Sequence, residues 1–497
     1  MEKKTNIRAV TAAVFVATFM TAIEGTIVTT AMPTIVGSLK GIEIMNWVFS
    51  IYLLTNAMLT PVYGKLADMI GRKPVFLFGT IIFMIGSAFC GLSYSMIHLI
   101  VARAIQGIGA GAMMPVAFTI VADLYSPEKR GKILGLTSTA WGVASVVGPL
   151  AGGIVVDVFS WHWIFFINVP IGFLLIWLIG KYLIEEKRPK LRKKMDILGS
   201  FVSMITLMFF LIGIQYLGDE GPSLRVGFFF AISILGILSF IQIEKRVEDP
   251  LISLDLFRNR VFVVVNVIAA LVSGFLMGVE VYIPMWMQGV LGMSAAIGGL
   301  VLAPQSILWV YGSSVASRWL GIFSLRKNLL IALLITLVGG ILLFLMPFTT
   351  PFYVFLMISG VIGIGMGATI VVTTVSAQNS VAHEQLGVAT SFNTLAKTLG
   401  QTIMIAVFGI IFNTSTANHL AKLTIPVPED AMNQLVNPHT AKLLPAESLP
   451  AESLQALRHV LYQGLHSIYG LAILLVIVAI IFSLTLNQKT GTMGTKK

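Results

Sequence analysis

Two long apolar runs, about residues 47–63 and 75–92, are joined only by Gly64-Lys65-Leu66-Ala67-Asp68-Met69-Ile70-Gly71-Arg72-Lys73-Pro74. Each run is close to the ~20 residues that an α-helix needs to cross a bilayer. A connection this short forces the two helices to lie antiparallel. It also gathers four charges and two glycines into a tight turn on one membrane face.

The rest of the chain is built the same way. Hydrophobic residues make up 56% and charged residues only 11%, whereas about a quarter of a soluble domain is charged. Cys90, the single cysteine, sits inside an apolar run, which excludes a disulfide framework and a cluster of Cys metal ligands. The formal net charge of +11 does not indicate a nucleic-acid partner, because the basic residues fall in short breaks between apolar runs. That distribution is the positive-inside signature of a multi-pass membrane protein.

The runs and their charged breaks predict about fourteen spanning helices in an all-α integral membrane fold. Lys3, Lys4 and Arg8 place the N-terminus in the cytoplasm. Alternation from there puts Lys65/Arg72/Lys73, Lys129/Arg130/Lys132, the stretch Lys187 to Lys194, Lys245/Arg246, Arg258/Arg260 and Arg326/Lys327 inside. The Lys489, Lys496 and Lys497 tail also falls inside, so both termini are expected in the cytoplasm. The first apolar run contains Glu24 and runs into Pro33 without a small-residue cleavage pattern, unlike a signal peptide.

Three parts are expected: a six-helix bundle over 1–184, a basic linker with an extra helical hairpin over 185–260, and a second six-helix bundle over 261–497. The hairpin is placed at about 197–217 and 225–243. A long polar stretch, about 414–463, is expected outside, before the last helix. It carries a direct repeat, Leu444-Pro445-Ala446-Glu447-Ser448 followed by Leu449-Pro450-Ala451-Glu452-Ser453, and reads as an exposed, partly helical loop.

The Gly64 to Pro74 stretch resembles the loop between the second and third helices of the major facilitator superfamily. Leu99-Ile100-Val101-Ala102-Arg103-Ala104-Ile105-Gln106-Gly107-Ile108-Gly109-Ala110-Gly111 is similar to its fourth-helix motif. The segment Gly142 to Gly153, with Gly148-Pro149 and Gly152-Gly153, resembles the fifth-helix motif of its antiporters. Trp161 to Gly172 and Glu24 to Pro33 complete the likeness to the fourteen-helix drug:proton antiporters. Glu24 stands where that group usually has aspartate, and Thr29 where it usually has asparagine.

Ionisable groups at membrane depth are costly and mark ion or substrate paths. Glu24 lies roughly 24 Å along helix one, and Arg103 roughly 9 Å below the outer end of helix four. Their similar depth permits an ion pair. Two readings of it stay open, a proton-binding carboxylate with Arg103 beside it, or a static pair holding helices one and four together. Glu280 is the second proton-coupling candidate, sharing a polar face of helix nine with Asn266, Ser273 and Met277 at near-heptad spacing; its alternative is a carboxylate simply solvated near the outer interface. These three, with Lys397, Gln106 and Met113, are the candidates for lining a substrate cavity; for Lys397 the alternative is a stem extended toward the interface. Asp68, Arg72 and Asp123 are either a charge lock on the cytoplasmic face, as the resemblance implies, or simple topology signals. Gly107/Gly111, Gly148/Gly152 and Gly363/Gly367 read as close helix packing.

No nucleotide-binding loop, nucleophile–base pair or metal constellation is present in the pattern, so no enzyme activity and no cofactor are expected, only a proton gradient as energy source. The resemblance implies a bacterial inner-membrane transporter that expels lipophilic, cationic compounds in exchange for protons by alternating access, functioning as a monomer with small molecules and the bilayer as partners. An exporter of an endogenous lipid, amino acid or peptide on the same fold is the alternative.

Overall fold

In the computed structural model the described residues are 5–125, 127–185, 196–247, 254–320, 322–381, 386–423, 431–436 and 451–486. Among them the chain is helical throughout, with no strand. Fourteen long helices follow in order. They are α1 (Ile7–Leu39), α2 (Asn46–Ile70), α3 (Arg72–Gly91), α4 (Met96–Leu124), α5 (Pro127–Val158), α6 (Trp163–Tyr182), α7 (Ile197–Glu220), α8 (Leu224–Glu244), α9 (Arg260–Val290), α10 (Ala295–Trp319), α11 (Leu325–Phe344), α12 (Phe352–Asn379), α13 (Leu386–Leu420) and α14 (Ala451–Leu484). Thirteen are long and apolar enough to cross a membrane, and the remaining one, α5, contributes the shorter apolar stretch Val146–Val158.

The helices start and stop where local chemistry requires. Side-chain oxygens of Ser95, Asp196, Ser223, Asn259 and Ser324 accept from free backbone N–H groups in the first turns of α4, α7, α8, α9 and α11. Gly71 breaks α2 from α3 at φ 108°, a conformation that L side chains rarely adopt. The end of α9 loosens into a π turn over Trp286–Val290, an irregularity frequent at functional sites.

The chain forms two compact units, one of residues 1–31 and 44–251, the other of 32–43 and 252–497. In the first, Val14, Ala17, Phe76, Phe83, Met113, Val116, Leu175 and Ile179 form a buried apolar core. The helix α4 lies against α2 and α3, and the α7–α8 hairpin packs mainly on itself. Trp47 Nε1 ties α2 to this hairpin by donating to Gln215 Oε1 at 3.2 Å. In the second, α10 packs on α12, α9 on α13, and α14 against α9 and α11.

Glycine pairs set several of these approaches. A Cβ on Gly107 would lie 2.6 Å from the Tyr52 carbonyl, and one on Gly111 2.9 Å from that of Asn56. The helix α4 therefore touches α2 backbone to backbone.

The polar stretch expected at 414–463 is shorter than its composition suggests. The helix α13 continues to Leu420 and α14 begins at Ala451, with a short helix, Ala431–Leu435, between them. Ser415 and Ser467 hydroxyls meet at 3.0 Å across α13 and α14, and Thr416 bonds back to Phe412 O. The Lys187 to Lys194 linker, residues 444–450 of the direct repeat and the terminal lysines lie outside the described residues, as do the side chains of Lys129 and Arg130.

Candidate functional site

The structure brings Glu24 of α1 and Arg103 of α4 together in the interior of the first unit, with Arg103 Nη1 2.5 Å from Glu24 Oε1 and both side chains at most 2% exposed. The second carboxylate oxygen, Oε2, accepts from Asn168 Nδ2 of α6 at 2.7 Å. The same Asn168 amide donates to Ser87 Oγ of α3 at 2.9 Å, and Ser87 donates to the Phe165 carbonyl. Gln106, one turn along α4, accepts from Arg103 at 2.6 Å and donates to Ser87 at 3.1 Å. Arg103 Nε reaches the Val48 carbonyl, and its guanidinium carbon sits 3.9 Å above the Tyr52 ring of α2. Five helices thus converge on one buried carboxylate–guanidinium pair.

The arrangement is chemically specific. A lone buried charge costs several kcal/mol, and pairing offsets that cost only when the remaining lone pairs and protons are satisfied. Here both carboxylate oxygens accept from donors, and the guanidinium is held by two acceptor side chains, a backbone carbonyl and an aromatic face. A proton placed on Glu24 would turn one accepting oxygen into an O–H donor facing another donor. Protonation therefore disturbs α1, α4 and α6 together.

The second unit holds its polar groups differently. Glu280 of α9 is partly exposed and accepts from Gln305 Nε2 of α10 at 3.4 Å, a long bond. Gln305 is buried, and its Oε1 has no partner among the described residues. Asn266 donates to the Phe262 carbonyl at 2.8 Å and accepts from Asn393 Nδ2 of α13 at 2.9 Å. Asn393 Oδ1 lies 3.1 Å from the Thr374 hydroxyl of α12, which accepts from Lys397 Nζ at 2.8 Å. Two cavity candidates of the sequence, Asn266 and Lys397, are therefore ends of one polar chain. Ser273 and Met277 are buried in the same helix. Met113 is fully buried in the core of the first unit, and Gln106 belongs to the Arg103 network.

At the α2–α3 turn, Arg72 Nε pairs with Asp123 Oδ2 at 3.0 Å, and Arg72 Nη1 donates to the Ala67 carbonyl. The side chain of Asp68 lies outside the described residues. Glu185 closes this region, its Oε1 accepting from the backbone N–H of Arg72 at 2.5 Å and of Lys73 at 3.1 Å. A carboxylate there complements the N-terminus of α3. Lys73 Nζ in turn donates to the carbonyls of Gly180 and Leu183 at the end of α6. Along α5, Pro149 lies inside the helix, and a Cβ on Gly152 would come 3.1 Å from the Ile27 carbonyl, so that α5 and α1 meet closely. Gly148 meets the Thr26 side chain in the same way, and Gly153 is buried, while the surroundings of Gly142 lie outside the described residues.

Sequence reasoning did not find Ser87, Tyr52, Asn168, Asn393, Gln305 or Glu185. For Asn168 a signal was present, a lone amide beside Pro170 in an otherwise apolar stretch. Ser87 carries no such mark, because an isolated serine in an apolar helix equally bonds its own backbone.

With the geometry established, likenesses to known proteins can be set beside it. The sequence profile of the Major Facilitator Superfamily matches residues 14–405. The chain is 32% identical to the multidrug transporter protein MdtP of Bacillus subtilis, over 95% of this chain and 91% of that one. It is 37% identical to multidrug resistance protein 3 of the same organism, over 81% and 78%. Among solved structures, a bacterial homologue of the human lysosomal transporter Spinster superposes with a TM-score of 0.65 at 18% identity, covering 96% of this chain and 95% of that one. That likeness concerns the fold alone.

Proposed function

This chain belongs to the Major Facilitator Superfamily, and from that premise we propose that it is a multidrug efflux transporter exchanging lipophilic, cationic compounds for protons across a bacterial cytoplasmic membrane. It is a multi-pass membrane transporter, not an enzyme. The observation that carries the reading is the buried Glu24 carboxylate, held by Arg103 and Asn168 where three helices meet.

In this reading a proton arriving from outside neutralises Glu24 and weakens its hold on Arg103 and Asn168. The helices α1, α4 and α6 then shift, and substrate binds as the proton leaves toward the cytoplasm. Alternating access follows from rocking of the bundles 1–184 and 261–497, with 185–260 as an accessory hairpin. Glu280, held among the described residues only by the long bond from Gln305, serves as a second proton- or cation-accepting group. Asp68, Arg72 and Asp123 lock the cytoplasmic face, and both termini lie there. The names of the B. subtilis relatives support multidrug transport, and the membrane-depth carboxylates support proton coupling.

The test is reconstitution into vesicles loaded with a fluorescent cationic dye. Dye movement against its gradient is expected when an inward-directed proton gradient is imposed, and is expected to stop when a protonophore dissipates it, whatever the ATP supply. Uphill transport driven by ATP without the gradient overturns the antiport reading. Dependence on sodium in place of protons changes the coupling ion and leaves the fold untouched.

A further inference from the structure

Among the described residues two cations, Arg103 and Lys397, lie deep in the helices, and the structure treats them oppositely. Arg103 has a carboxylate in direct contact. Lys397 has the Thr374 hydroxyl at 2.8 Å and, among the described residues, no acidic partner. Lys397 stands about 16 Å along α13 from Leu386 at 1.5 Å per residue, well within a ~30 Å hydrocarbon layer. An ammonium at that depth without a counter-charge is unfavourable unless water or an anion reaches it.

The surface around Lys397 shows which face is reached. Ala389, Asn393 and Ala396 form the buried side of α13. On the adjoining side Thr390, Thr394, Lys397, Thr398 and Gln401 fall at helical spacing and are all partly or fully exposed. The hydroxyls of Thr394 and Thr398 bond to carbonyls one turn back in their own helix, and Lys397 is the one charged member of the stripe. A polar stripe of this length is expected against water, not against lipid tails.

The ammonium is also held in place. Thr374, whose hydroxyl accepts from Lys397, is linked through Asn393 to Asn266, and Asn266 is anchored on the Phe262 carbonyl. Every member of this chain is neutral, so it orients the lysine without cancelling its charge. Among the described residues the other two ammonium protons meet no further acceptor.

We infer that Lys397 is a docking point for an acidic group, a carboxylate or sulfonate, carried by a lipophilic substrate. The inference rests on the transport reading above and extends its substrate class from cations to zwitterions. Glu280 and Lys397 then supply opposite charges from the same unit. A planar dye bearing both an iminium and a carboxylate satisfies the unpaired ammonium, whereas its ester does not.

Tetramethylrhodamine and its methyl ester form such a pair, differing only in the carboxylate. Binding of each to the purified full-length protein in neutral-lipid nanodiscs is followed by fluorescence anisotropy. Lys397→Gln and Lys397→Met are expected to weaken binding of the carboxylate dye at least tenfold and to change that of the ester by less than about threefold. Lys397→Arg is expected to restore the carboxylate dye. Ester binding by each variant serves as the control for folding. Equal loss of both dyes makes Lys397 a structural residue and overturns the inference, as does an unchanged carboxylate dye. Gradient-driven efflux of the ester is measured in parallel. If it persists while the carboxylate preference is missing, this inference falls and the antiport reading stands. If the folded wild-type protein binds neither dye, both are overturned.

Discussion

Glu24 is held from both sides, Arg103 Nη1 on one carboxylate oxygen and Asn168 Nδ2 on the other. Removing one partner of a buried pair leaves the other charge unpaired, at a cost of about 3–5 kcal/mol, more than most single interactions contribute. Glu24→Ala and Arg103→Ala are each expected to destabilise by about that amount. The double variant is expected to lose less than the sum, with an interaction energy of about 1–3 kcal/mol, measurable by thermal unfolding in detergent. Additive losses would mean that the pair does not hold α1 to α4. Glu24→Gln separates this structural role from proton coupling, since it keeps size and one accepting oxygen. It is expected to fold, to bind neutral compounds, and to lose gradient-driven efflux. Glu24→Asp keeps the charge and is expected to keep transport. Full activity in Glu24→Gln would move the coupling role to Glu280. Depth along each helix placed Glu24 and Arg103 opposite each other from sequence alone, because rise per residue is fixed. Azimuth was not readable, which is why Asn168 and Ser87, arriving from α6 and α3, were missed.

At the scale of elements, packing in lipid depends on how closely backbones approach, because lipid tails are as apolar as leucine. Gly363 and Gly367 of α12 lie against the backbone of α10, where an added Cβ would overlap the carbonyls of Gln305 and Trp309. Gly227 of α8 has open space in the same position of its side chain. Gly363→Ala is therefore expected to destabilise by about 1–3 kcal/mol through overpacking. Gly227→Ala is expected to be neutral or to stabilise by up to about 1 kcal/mol through helix propensity. Unfolding temperatures of the two variants, compared in one detergent, decide the matter; equal shifts would show that α10 and α12 have room to separate. The glycine pairs were legible as packing motifs because their spacing of four keeps them on one helix face. Which helix each pair faces was not legible. The same limit applies at α13, whose last turns read as loop although Ser415 there meets the Ser467 hydroxyl of α14.

For the whole molecule, the number and order of the helices followed from the apolar runs, since a bilayer sets their length. The polar side chains that bridge those helices followed much less, because each bridge joins residues far apart in sequence. The α2–α3 turn lies between these extremes: its charges stood out in the sequence, but its closure by Glu185 did not. A partly exposed pair such as Arg72–Asp123 contributes only about 0.2–1 kcal/mol to stability. Arg72→Ala is therefore expected to leave yield and unfolding temperature nearly unchanged. If the pair exists in only one of two transport states, the same 1 kcal/mol shifts their ratio about fivefold. Turnover in reconstituted vesicles is then expected to fall by about that factor while dye affinity stays within twofold. Arg72→Lys keeps the positive charge that sets topology but loses the planar fork that binds Asp123. It is expected to insert normally and to be slowed like Arg72→Ala. Normal turnover in both variants at equal expression would leave these charges with topology alone, and the switch between states would have to be set elsewhere in the chain.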